Sequence, residues 1–108
     1  VIRSYVHVGD LIALALAELR RLPSGAFARF DTAGEIELEV GALATRVAAV
    51  LGASHLQVHR PPVAAEPIDR YVGDGAEMAI RMEANGFAAR DVDAQIRDTA
   101  AFLSSGRP

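Results

Sequence analysis

The 108-residue chain contains no cysteine and no tryptophan. Disulfides and thiolate-held zinc are thereby excluded, and an intracellular, cytoplasmic setting is the expectation. Long apolar runs are missing too. The longest, Leu11 to Ala17, is far short of the roughly 20 residues a membrane-spanning helix needs. No basic stretch precedes it to make a signal peptide. Positive charge is not in excess, since 11 basic residues against 14 acidic ones give a formal net charge of -3. Attraction to nucleic acid or to an anionic membrane therefore has no basis in bulk charge. What is present is the composition of a folded domain, with 51% hydrophobic and 23% charged residues. A chain of this length suits one domain that buries roughly 60–70% of its unfolded surface.

The stretch Arg3-Ser4-Tyr5-Val6-His7-Val8-Gly9-Asp10-Leu11 is the richest in information. Tyr5, Val6 and Val8 predict a strand, Gly9 breaks it, and Asp10 is placed to cap the next helix. Such a joint puts polar residues at the open edge where α/β proteins keep ligands. No earlier strand precedes it, so the chain is expected to be a piece of a larger protein.

Further along, the elements alternate. Asp10 to Leu22 predicts a helix so apolar that burial on two sides is expected. Ala26 to Asp31 reads as a strand bearing Phe27 and Phe30, followed by a turn at Thr32-Ala33-Gly34. Glu35 to Val40 alternates strictly, which predicts either a half-buried strand or an extended lead into the next helix. That helix covers Gly41 to Leu51 and stops at Gly52. His55 to Arg60 reads as a strand that Pro61-Pro62 ends, opening a loop through Pro67. A short strand at Arg70 to Val72, a helix from Gly75 to Ala84 with an Asn85-Gly86 exit, and a last helix from Asp91 complete the chain. The fold class is a small mixed α/β assembly ordered β-α-β-(β)-α-β-α-α.

Self-contained catalytic sets are scarce. His55 and His59 have the spacing of two helical metal ligands, but they lie in an extended segment with no third ligand nearby. Asp91 and Asp93 read as helix-start carboxylates. Ser104 and Ser105 have no partner base. No glycine cluster follows a strand to cradle a pyrophosphate. The remaining candidates stand at element junctions: Arg3, Tyr5, Asp69, Arg70 and Tyr71. Arginine offers a rigid fork of donors to a phosphate, and tyrosine can stack or donate. The bland alternative is solvated arginines and tyrosines that fill core edges.

Five segments in order resemble the extended short-chain dehydrogenase/reductases, the NAD-dependent nucleotide-sugar epimerases and dehydratases. Arg3 to Leu11 is similar to their Arg-x-Tyr/Phe-Val-His-Val-x-Asp-Leu motif, and Phe30 to Leu38 to their Phe-Asn-Val-Gly-x-Gly-x-x-x-Ser-Ile motif. Leu43 to Val47 resembles the helix that follows, and Asp69 to Asp74 their Asp-Arg-Tyr-Val-x-Asp motif. Gly86-Phe87 with Ile96 to Leu103 resembles the closing loop and helix. The resemblance implies the C-terminal, substrate-binding part of a Rossmann-type enzyme, residues 1–108, without its N-terminal nucleotide-binding domain. It implies that Arg3 and Tyr5 contact a nucleotide diphosphate, that Leu38 lies against the base, and that Asp69 and Tyr71 approach the ribose or diphosphate. Arg70 would add positive charge. Two departures stand out. Glu66 occupies a position where relatives of UDP-galactose 4-epimerase carry another arginine, and Asp31-Thr32-Ala33 replaces an Asn-x-Gly turn.

In that family the dinucleotide loop and a Tyr-x-x-x-Lys pair do the chemistry with NAD or NADP, and neither motif occurs in this chain. The implied partners are a nucleotide-diphosphate sugar, the missing domain, and further copies in a homo-oligomer, since a freed packing face would be apolar. Two other classes remain: a free-standing α/β interaction module that dimerises, and a related NAD(P)-dependent carbonyl reductase. The chain alone is expected to show no epimerase or dehydratase turnover and no tight NAD binding. Calorimetry checks this, and nanomolar NAD affinity would overturn it.

Overall fold

Three strands from distant parts of the chain meet in one small sheet. The computed structural model describes residues 1–34, 36–62 and 68–106. Among them the order is β1 (Ile2–Tyr5), α1 (Val8–Arg21), β2 (Ile36–Glu39), α2 (Val40–Val50), β3 (Arg70–Tyr71), α3 (Ala76–Ala84) and α4 (Val92–Ser104). The sheet runs β2-β1-β3, antiparallel between β1 and β2 and parallel between β1 and β3. The chain is thus a small mixed α/β domain, as its alternating elements predict.

Several boundaries and two strands differ from the sequence expectation. β1 ends at Tyr5 because His7, not Asp10, caps α1, its Nδ1 accepting the Gly9 amide at 2.9 Å. Asp10 falls inside the first turn, where it is buried and accepts the amide of Arg90 at 2.8 Å. Residues 26 to 31 form no strand, since no described segment offers them a ladder. Phe27 points into solvent, while Phe30 packs on the core. Residues 55 to 60 form no strand either. Leu56 closes a turn onto Ala53, and Leu56 and Val58 are exposed. The alternating segment supplies β2, although Glu35, like Glu66 and Pro67 in the later loop, lies outside the described residues.

The later helices match their local signals. Asp91 caps α4 by accepting the Ala94 amide at 2.8 Å. Gly86 takes φ +73° directly after α3, a conformation that side-chain-bearing residues avoid. Gly34 is needed for a different reason, because a Cβ there would collide with the carbonyl oxygen of Tyr5. Asp31 fixes this crossing, accepting the amides of Ala33 and Asp74, each at 3.1 Å.

The core is small. Leu14, Met78 and Met82 are buried between α1 and α3, with Val6, Leu11, Phe30 and Phe87 packed around them. Glu18 on α1 joins Arg81 on α3 at 2.7 Å. On the other side, Ile96 is buried on α4 and Arg46 forks onto Asp93 with two 2.6 Å bonds. α1 is not buried on two sides. Its first stripe turns inward at Leu14, whereas Val8, Ile12, Leu16 and Leu19 form an exposed ridge. The apolar pattern exceeds what the described partners cover. Replacing the fully buried Leu14 by Ala should cost about 2–5 kcal/mol, whereas Leu16→Ala, at 50% exposure, should cost less than about 1 kcal/mol. Urea unfolding of both variants checks the contrast.

Candidate functional site

In any β-ladder, residues directly opposite one another share a face and neighbours along a strand alternate. Leu38, Arg3 and Tyr71 are opposite one another across β2, β1 and β3. Tyr5 and Ile36 form the next row on that same face. The register therefore brings four of the six proposed residues together: Arg3, Tyr5, Leu38 and Tyr71. The Arg3 guanidinium carbon stands 5.4 Å from the centroid of the Tyr71 ring, a cation–π arrangement. Both side chains belong to exposed residues. Among the described residues no carboxylate pairs with Arg3.

Arg70 is not part of this group. It is opposite Ile2, so it faces away from Arg3, and its guanidinium is bonded to the Glu37 carboxylate. Its charge is neutralised there, so it does not replace the arginine that Glu66 displaces, and Glu66 itself lies outside the described residues. Asp69 flanks β3 as an exposed residue, its carbonyl accepting the Ile2 amide at 2.9 Å. Beyond the Tyr5 row lies a cavity of about 340 Å³. Tyr5 and Ile36 line it together with Met78, Phe87, His7 and Arg90.

The opposite face carries charge held in place. Glu39 ends β2 and caps α2, one carboxylate oxygen accepting the Gly41 and Ala42 amides at 2.8 and 3.2 Å. Arg60 donates to that oxygen at 2.9 Å and lies 2.8 Å from the other. Local reading missed this cap because the strict alternation masks Glu39 as an ordinary outward strand residue. The Arg60 bond, helped by the two amides and opposed by partial burial, pulls the Glu39 pKa down from 4.5 to about 2. A bond from Arg46 likewise lowers Asp93.

No group of three His, Cys, Asp or Glu side chains among the described residues is arranged to hold a metal. His55 and His59 sit exposed in the loop after α2. Among the described residues no left-handed glycine follows a strand. The left-handed glycines, Gly25, Gly52, Gly86 and Gly106, all follow helices, and at the β1–α1 joint the space above Gly9 is filled by Arg90 and His7. No described helix is long and apolar enough to cross a membrane. No family model matches the chain, and neither a curated protein nor a solved structure matches it.

Because its folded pKa is depressed, Glu39 contributes stability above about pH 4.5 that is lost as the pH falls toward about 2. Glu39→Gln should therefore lower the melting temperature by about 4 °C or more at pH 7. The deficit should shrink near pH 2. Thermal scans of both proteins at the two pH values check it.

Proposed function

We propose that the chain is the substrate-binding part of an NAD-dependent epimerase or dehydratase acting on a nucleotide sugar. The observation that carries this reading is the shared sheet face of Arg3, Tyr5, Leu38 and Tyr71. A nucleoside diphosphate presents a doubly charged group, a flat base and a ribose. An unneutralised guanidinium suits the first, and an aliphatic side chain beside aromatic rings suits the second. Asp69, exposed at the rim, supplies an acceptor for ribose hydroxyls. In this reading Arg3 grips the diphosphate, Tyr71 holds the guanidinium flat, and Leu38 and Tyr5 carry the base.

NAD or NADP supplies the hydride chemistry when bound by the rest of such an enzyme. The residues of this chain bind and orient the sugar nucleotide. The chain has no lysine, so a Tyr-x-x-x-Lys pair belongs to another segment. A second reading, a self-associating interaction module, rests on the exposed ridge of Val8, Ile12, Leu16 and Leu19. That ridge equally suits a contact with a neighbouring domain or with another copy in a homo-oligomer.

Titrating the chain with UDP-, dTDP- or CDP-glucose should move the amide resonances of Arg3, Tyr5, Leu38 and Tyr71. Arg3→Ala should weaken binding about tenfold or more, and Arg70→Ala should leave it unchanged. Absence of binding, or equal loss in both variants, overturns the proposal.

A further inference from the structure

Where β1 turns into α1, side chains from three parts of the chain close around the imidazole of His7. Its Nδ1 accepts the Gly9 amide at 2.9 Å, while Arg90 Nη1 lies over the ring, 2.7 Å from Nδ1 and 3.2 Å from Nε2. Its Nε2 lies 2.9 Å from Asp98 Oδ2 on α4. The Gly9 amide N–H can only donate. Nδ1 must therefore keep its lone pair, and the ring proton sits on Nε2, directed at Asp98. Asp10 secures Arg90 from the other side, accepting its amide at 2.8 Å and lying 3.7 Å from its Nε. Gly9 leaves the necessary space, since a Cβ there would come within 2.5 Å of Arg90 Nη1.

We infer that this cluster is a proton-sensitive clasp on the wall of the 340 Å³ cavity. With His7 neutral, the first turn of α1 and the Arg90 side chain are pinned to that wall; a proton on Nδ1 releases both. Protonation sets Nδ1–H against the Gly9 amide, a donor that cannot become an acceptor. It also places a cation beside Arg90 and at the positive end of the α1 dipole. The groups facing the ring pull both ways. Asp98 attracts the imidazolium, as do Asp10, Asp91 and Glu83 on the same cavity, while Arg90 repels it. The outcome is an imidazolium that stays with Asp98 and a guanidinium that leaves. The clasp stands apart from the Arg3–Tyr71 stack and does not depend on the nucleotide reading.

The test follows Gly9 amide protection in the full chain by NMR hydrogen exchange, corrected for intrinsic rates, from pH 8 to pH 5. The protection factor should fall about tenfold or more in step with the His7 ring resonances, and the Arg90 Nε–H signal should exchange faster over the same range. His7→Asn keeps a capping acceptor that does not titrate, so its Gly9 protection should stay level. Asp98→Asn weakens the pull on the imidazolium and should move the midpoint to lower pH. Level Gly9 protection while His7 titrates, an equal fall in His7→Asn, or an unmoved midpoint in Asp98→Asn overturns the inference.

Discussion

The two ladders that flank β1 fix nearly everything else in this chain. β1 is four residues long, yet it is the only described strand that touches both others. Its register decides which side chains share a face, because a slip of one residue would send Arg3 to the opposite side. The ends of the ladder are pinned by backbone bonds outside it. Val40 donates to the Val1 carbonyl at 2.9 Å, and Ile2 donates to the Asp69 carbonyl at the same distance. Each bond is worth only about 0.5–1.5 kcal/mol net. Their importance lies in position: they leave the row Leu38–Arg3–Tyr71 a single arrangement.

Charge is distributed around this frame in a selective way. The chain is acidic overall, and carboxylates neutralise Arg46, Arg60, Arg70, Arg81 and Arg90. Most of these pairs are partly exposed and contribute little stability. Their effect is geometric. Glu39 with Arg60 joins β2 to α2 and to the loop beyond, Arg46 with Asp93 joins α2 to α4, and Glu18 with Arg81 joins α1 to α3. Arg3 is spared such a partner although Glu37 is on the adjoining strand, because strand alternation turns Glu37 to the other face and gives it to Arg70. The absence of a carboxylate beside Arg3 among the described residues is thus a product of register.

What could be read from the sequence follows the range of the interactions concerned. α2, α3 and α4, with Asp91 as a cap and Gly86 as an exit, are set by contacts within a few residues, and local pattern finds them. Segments 26–31 and 55–60 carry strand-forming residues yet remain irregular, since strand preference expresses itself only beside a partner. Phe27 and Phe30 are three apart, an odd spacing that cannot place both rings on one face of a strand. The Asp10 cap was lost to His7 because a carboxylate that accepts an amide 80 residues away leaves no local trace. The separation of Arg70 from the other site residues was readable all along. Arg70 and Tyr71 are adjacent in an extended segment, so both could not turn toward one ligand.

The apolar excess of α1 and the clasp at its start belong to one problem. α1 buries Leu14 and leaves a ridge of four large aliphatic residues in solvent, so tertiary packing holds only one side of the helix. Its first turn must then be fixed by other means, and the imidazole of His7, together with the buried Asp10 and Arg90, does this with polar contacts. Such contacts are directional and depend on protonation, whereas apolar packing is neither. Tyr5 and His7 are two residues apart, one ending the strand of the proposed binding face and the other opening the helix. Any shift of α1 at His7 must act on the Tyr5 end of that face through a single intervening residue, Val6, whose side chain is already committed to the core. Among the described residues β1 and β2 both run from the cavity to the Arg3 row, through Tyr5 and Ile36, so the joint at His7 is continuous with that row through the backbone of β1.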